Sequence, residues 1–115
     1  MSTSRTAYVI LGADLFSSEI TLPGGVGCVP DGYDEAIKAK GLATVIDGMN
    51  GDYYIVGEVL QKGEYDQDDC VGLSRESYEL PKLVLNTVNI AYKLEILGVK
   101  VSVQHVKLHI FTHWH

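Results

Sequence analysis

Cysteine and arginine are scarce in this sequence, and each scarcity closes a route. The only two cysteines, Cys28 and Cys70, cannot make a metal site alone and stay reduced in a cytosolic compartment, so both read as structural or neutral thiols. With Arg5 and Arg75 as the only arginines and a net charge of -6, the chain lacks the clustered cations that release counterions from a phosphate backbone. No apolar run approaches the roughly 20 residues that cross a bilayer. Residues 1–16 show neither the apolar stretch nor the cleavage site of a secretory leader. The expectation is a cytoplasmic protein that contacts neither membrane nor nucleic acid directly.

What is present describes a globular chain. Its 115 residues, 46% hydrophobic and 21% charged, fit one domain over residues 1–115 with a single core. The charge is unevenly placed. Residues 14–69 carry twelve of the fifteen acids against Lys38, Lys40 and Lys62, whereas residues 70–115 carry three acids, five bases and all four histidines. An acidic half of this kind suits a basic protein partner, because complementary fields steer association.

Residues 6–12 are β-branched and apolar on both parities, the pattern of a strand covered on both faces. A long excursion follows, rich in glycine and proline, in which residues 19–22 form either a small extra strand or part of a surface loop. Residues 33–40 form a short helix capped by Asp31, with Tyr33, Ala36 and Ile37 inward and Gly41 ending it. Residues 42–46 and 53–61 read as a hairpin around Asp47-Gly48 and Asn50-Gly51. An acidic loop leads to the clearest helix, opened by Ser74 or Ser77, carrying Pro81 in its first turn and stopping at Gly98. Leu83, Thr87, Ile90, Leu94 and Leu97 form its inward stripe, broadened by Val84, Val88 and Ala91. Residues 99–114 read as a final long strand.

This order of elements resembles a ferredoxin-like βαββαβ sandwich: an α+β fold with a four-stranded, mainly antiparallel sheet, two helices on one face and a long insertion between the first strand and the first helix. The resemblance is architectural and carries no function. It implies that the first and third strands are central, with Tyr54, Val56 and Leu60 on one side and Tyr53, Ile55 and Val59 on the other. The face without helices is then apolar. Self-association, with a dimer as first expectation, or a bound ligand covers it, unless residues 19–30 fold across it.

Alternation along the last strand puts His105, Lys107, His109, Phe111, His113 and His115 on one side and Val106, Leu108, Ile110 and Trp114 on the other. The histidines read as the polar side of an amphipathic strand. At about 3.3 Å per residue, His105 and His109 lie roughly 13 Å apart, too far to share one ion, and only His113 and His115 can chelate together. No metal or cofactor is expected. Neither a nucleophile elbow nor Gly-x-Ser-x-Gly is present. The glycines Gly24, Gly25 and Gly27 can cradle an anion, but the dinucleotide and P-loop patterns both fail there, and Asp66, Asp68 and Asp69 do not follow an EF-hand loop.

Seven tyrosines are numerous for this length, and five of them stand within two residues of an acid, a combination favoured at protein interfaces. The leading reading is a small acidic, non-catalytic binding protein that inhibits or neutralises a basic partner. Its contacts are Tyr53, Tyr65, Asp66, Asp68 and Asp69, with Phe16 on a second surface. The rival is a small enzyme or ligand-binding regulator with its pocket at the oligomer interface, using His105 or His109 as acid or base. A third is a sensor whose glycine loop and Phe16 close on a ligand.

Overall fold

The computed structural model describes residues 5–48, 50–65, 73 and 75–114, without the side chain of Tyr65. In chain order the elements are β1 (Arg5–Asp14), β2 (Thr21–Leu22), β3 (Gly25–Val26), α1 (Tyr33–Ala39), β4 (Ala43–Ile46), β5 (Tyr54–Tyr65), α2 (Leu80–Ile96) and β6 (Lys107–Trp114), with a 3-10 turn at Val103–His105. The fold is mixed α+β. Four strands form an antiparallel sheet in the order β4-β5-β1-β6, and β2 pairs with β3 in a separate hairpin.

The two central strands are apolar on both parities because each face of them is occupied. Leu11, Ala13, Tyr54 and Val56 join Tyr33 and Ile37 of α1 and Ile90, Ala91 and Leu94 of α2 in the main core. On the opposite face Ile10, Val45 and Ile55 form a second, smaller cluster. The Tyr33 hydroxyl donates to the Leu97 carbonyl and ties α1 to the end of α2. Between β1 and β5 the register shifts at Val9/Ile10, leaving Leu60 unpaired as a bulge. The extra residue resets the parity of β5, so Leu60 packs on the main core while Lys62 follows Val59 onto the other face.

At the middle of the sheet β1 and β5 approach closely. A Cβ on Gly57 would collide with the Leu11 carbonyl oxygen and the Gly12 Cα, and one on Gly12 would meet the Val56 carbonyl. Only glycine fits at either position.

Several expectations are corrected. Asp31 does not cap α1: the N-cap position is Gly32, held at φ 76°, and no side chain caps the helix. Left-handed backbone at that point favours glycine and leaves Asp31 one residue too early. The second helix begins at Leu80 behind Glu79, not at Ser77, because Pro81 fits within the first turn and resists a helical residue far ahead of it; Ser74 lies outside the described residues. The final strand is shorter than expected, since the 3-10 turn at Val103–His105 delays it to Lys107. The excursion does not cross the helix-free face. Its Ile20 and Leu22 are buried in the main core, with Phe16 and Val29 packed against it.

Two further corrections concern the far flank of the sheet. Val84 and Val88 do not broaden the buried stripe of α2: they are 63% and 50% exposed. On β6 the expected sides are inverted, for His109, Phe111 and His113 are half-buried while Leu108, Ile110 and Trp114 are exposed. The register explains it. Phe111 pairs with Tyr8 and His109 with Ile10, on the face of the smaller cluster, whereas Ile110 and Leu108 pair with Val9 and Leu11 at the helix side, beyond the reach of α2.

Candidate functional site

The helix-free face draws on all four strands of the sheet. Tyr8 of β1, Phe111 and His113 of β6, and Tyr53 at the entrance to β5 converge above Ile10, Val45 and Ile55. Tyr8 and Phe111 stack with ring centroids 5.7 Å apart, and Tyr53 meets the edge of Phe111 at 5.2 Å. The Tyr53 hydroxyl shares a 2.6 Å hydrogen bond with Nδ1 of His113. Offset and edge-to-face contacts of this kind fix each ring and add to the gain from burial. The aliphatic floor is consequently buried although no helix lies over it.

The charges beside this cluster are mainly acidic at the Tyr53 end. Asp47 forms the turn that delivers Tyr53, accepting the amides of Asn50 and Asp52 at 3.1 Å each. Burial of the phenol, followed by the nearby Asp47 carboxylate, Tyr8 and Asp52, raises the pKa of Tyr53 above 10.0. Tyr53 therefore keeps its proton at neutral pH. Lys62 and Glu64 pair at 3.2 Å at the other end of the same face.

A second feature lies where β1 ends and β6 begins. A cavity of about 160 Å³ is lined by Asp14, Ser17, Glu19, Ile20, His105, Lys107 and His109. The turn before β6 thus brings together two histidines that a continuous strand would separate. Their hydrogen bonds are largely committed. Nε2 of His109 donates to the Gly12 carbonyl at 3.0 Å, leaving Nδ1 as acceptor. Nδ1 of His105 accepts from the Ser102 amide at 3.1 Å, which directs Nε2 toward Glu19 at 4.0 Å. The Asp14 carboxylate accepts the amides of Phe16 and Tyr54, both at 3.0 Å, so it serves the backbone. This volume is well below the roughly 300 Å³ at which pockets begin to enclose organic ligands. Among the described residues no three histidine, cysteine, aspartate or glutamate side chains gather to hold a metal ion.

The other sequence candidates are dispersed. Tyr53 and Tyr65 stand at opposite ends of β5, about 40 Å apart at 3.3 Å per residue, so a single surface containing both runs the length of the sheet. Asp66, Asp68 and Asp69 lie outside the described residues, as does His115. Phe16 is half-buried, edge-on to Tyr54 at 5.7 Å. Gly24, Gly25 and Gly27 belong to the exposed β2–β3 hairpin, with positive φ at Gly25 and Gly27 and open space around both. Tyr8, Phe111 and His113 escaped the sequence reading as site residues. Their signal was parity, but it becomes legible only once β6 is paired with β1.

Comparison of the chain with protein-family models, with curated proteins and with solved structures gave no match. Among the described residues no helix is long and apolar enough to cross a membrane.

Proposed function

We propose that this chain is a small acidic, non-catalytic binding protein that inhibits or neutralises a basic protein partner, and that the helix-free face is its contact surface. The observation that carries the reading is the ring cluster of Tyr8, Tyr53, Phe111 and His113, fixed on an aliphatic floor with the exposed Asp52 beside Tyr53, while the buried Asp47 holds the turn that delivers it. Rigid tyrosines lose little entropy on binding and concentrate affinity, while the exposed Asp52 carboxylate at the rim favours a cationic partner. The same proposal takes the scaffold to be a ferredoxin-like arrangement. Support comes from the central positions of β1 and β5 and from the shared core of α1, α2 and one sheet face; the β2–β3 hairpin is an addition to that plan.

The test is capture of a partner from extract by the immobilised chain, repeated with Tyr53→Ala and Asp52→Lys. Loss of Tyr53 should weaken binding by about 30-fold, the scale of a hot-spot residue. Reversal of Asp52 should weaken it less and reduce its dependence on salt. A captured protein that is acidic, or one held equally by both variants, overturns the reading.

A further inference from the structure

The flank formed by α2 and β6 is apolar, exposed and bounded by an open strand edge. Among the described residues β6 has β1 on one side and no strand on the other. The opposite edge strand, β4, is only four residues long, and brevity is a common protection for a sheet edge. β6 has eight residues in regular register with β1. It contains neither proline nor carboxylate, and its only lysine is at its first position. The usual devices that prevent a strand from pairing are therefore confined to one end of it.

α2 turns an apolar side toward this strand. Lys82 and Asn86 line the groove over Glu58 and Leu60 of β5, and Lys93 reaches toward Gly41. At 100° per residue, Val84 and Val88 lie on the opposite flank, above the β6 side of the sheet. Leu80, Val84 and Val88 are 50% or more exposed, as is Ile110, with Leu108 and Trp114 close to that value. At roughly 100 Å² apiece, these six side chains offer about 600 Å² of apolar surface. A standard interface takes about 800 Å² from each partner, of which about 65% is apolar in homodimers. The patch is of the size that requirement sets, and it stands at the upper end of the range for the largest apolar patch on a monomer.

We propose that the occupant is a second copy of this chain, with the two β6 strands paired antiparallel about a two-fold axis and the two α2 helices side by side above them. With strands about 4.8 Å apart, an axis just outside β6 lies about 7 Å from β1, over which α2 packs. The two helices then run about 14 Å apart, and since each is roughly 10–12 Å across with its side chains, they flank the seam with a gap of about 2–4 Å instead of packing at the roughly 8–10 Å of a tight helix pair. Val84 and Val88 of the two copies face each other across that narrow gap, above Leu108 and Ile110. Charge supports a like partner as well. The chain carries a net charge of -6, but α2 and β6 together hold Lys82, Lys93, Lys107 and Glu95 as their only ionised side chains. Two copies therefore meet where their carboxylates are sparse, and a basic partner gains nothing there.

This inference is independent of the helix-free face, which lies on the other side of the sheet. Sedimentation equilibrium of the full chain should give about 25 kDa, twice 12.6 kDa. Ile110→Lys and Val88→Glu, both at exposed positions, should each raise the dissociation constant tenfold or more by placing an unpaired charge in the interface. Tyr53→Ala should leave the dimer intact. Hydrogen exchange of the wild-type chain provides a readout without variants: the β6 amides should slow as concentration rises, and those of β4 should not. A wild-type particle of 12.6 kDa, a dimer that survives both charge substitutions, or β6 exchange independent of concentration overturns the proposal. So does a monomer that uses this flank only to bind lipid vesicles.

Discussion

The helix-free face and the α2–β6 flank are both apolar, yet one is roofed by its own rings and the other is left bare. Ile10, Val45 and Ile55 are less than 7% exposed because Tyr8, Tyr53 and Phe111 lean across them. On the flank Val84 and Ile110 remain 63% and 67% exposed. Side-chain reach makes the difference. An aromatic ring on a flat sheet extends over the neighbouring strand, where it finds other rings to lean on. A valine on the rim of a helix covers little beyond its own turn. The first surface fixes its own shape through its rings, whereas nothing within the described residues covers the second.

Substitutions can break or sharpen that contrast. The largest loss is expected in the main core beneath α2: Leu94→Ala should cost about 3–4 kcal/mol in chemical denaturation, as for a buried leucine that leaves a cavity. Leu85→Ala, on the exposed crest of the same helix, should change monomer stability by less than about 0.5 kcal/mol. Equal losses at the two positions would erase the distinction between buried and bare stripes.

Next in size is Gly57→Ala. The added methyl group meets backbone at the centre of the sheet, and a cost of about 2–3 kcal/mol is expected in the same assay. On β6 the contrast can be drawn within two adjacent residues. Phe111→Ala removes two ring contacts and should cost about 2 kcal/mol. Ile110→Ala should cost under about 0.5 kcal/mol in the monomer. A reversed ranking would mean that the helix side of β6 is the better packed one.

The smallest effect is a pH dependence. Burial, with Asp34 as hydrogen-bond acceptor at 3.1 Å, raises the Tyr54 phenol well above its ordinary 10.0. A raised folded-state value means that the folded chain holds the proton more tightly than the unfolded chain. Its contribution is thus complete below pH 10 and declines as pH rises beyond it. Unfolding free energies measured on either side of pH 10 should fall less steeply for Tyr54→Phe than for the wild type. Parallel slopes would remove Tyr54 from the account.

Much of the sheet was legible in the residues. Tyr54 and Val56 fall on the helix side and Tyr53, Ile55 and Val59 on the other, as alternation requires. The hairpin of β4 and β5 follows from its turn residues, and the stripe of Ile90, Leu94 and Leu97 from helical spacing. The misreadings on the flank of α2 and β6 come from missing knowledge of what lies above each strand or helix face. Periodicity shows which positions are apolar but not whether anything lies above them, so Val84 and Val88 looked like core. On β6 the 3-10 turn broke the alternation at its start, and edge position removed the helix from above Leu108 and Ile110. The ring cluster was hidden because Tyr8, Tyr53 and Phe111 are about 45 to 103 residues apart in the chain, joined only by register.

The crossing of β1 and β5 has a consequence for ancestry. Neither Gly12 nor Gly57 can accept even a methyl group unless main chain moves, because each added carbon would meet backbone of the facing strand. Surface residues of a lineage built on this sheet can drift until little else is shared. Two glycines facing each other, one from the opening strand and one from the middle of the long hairpin arm, are then the feature by which a distant cousin can still be recognised.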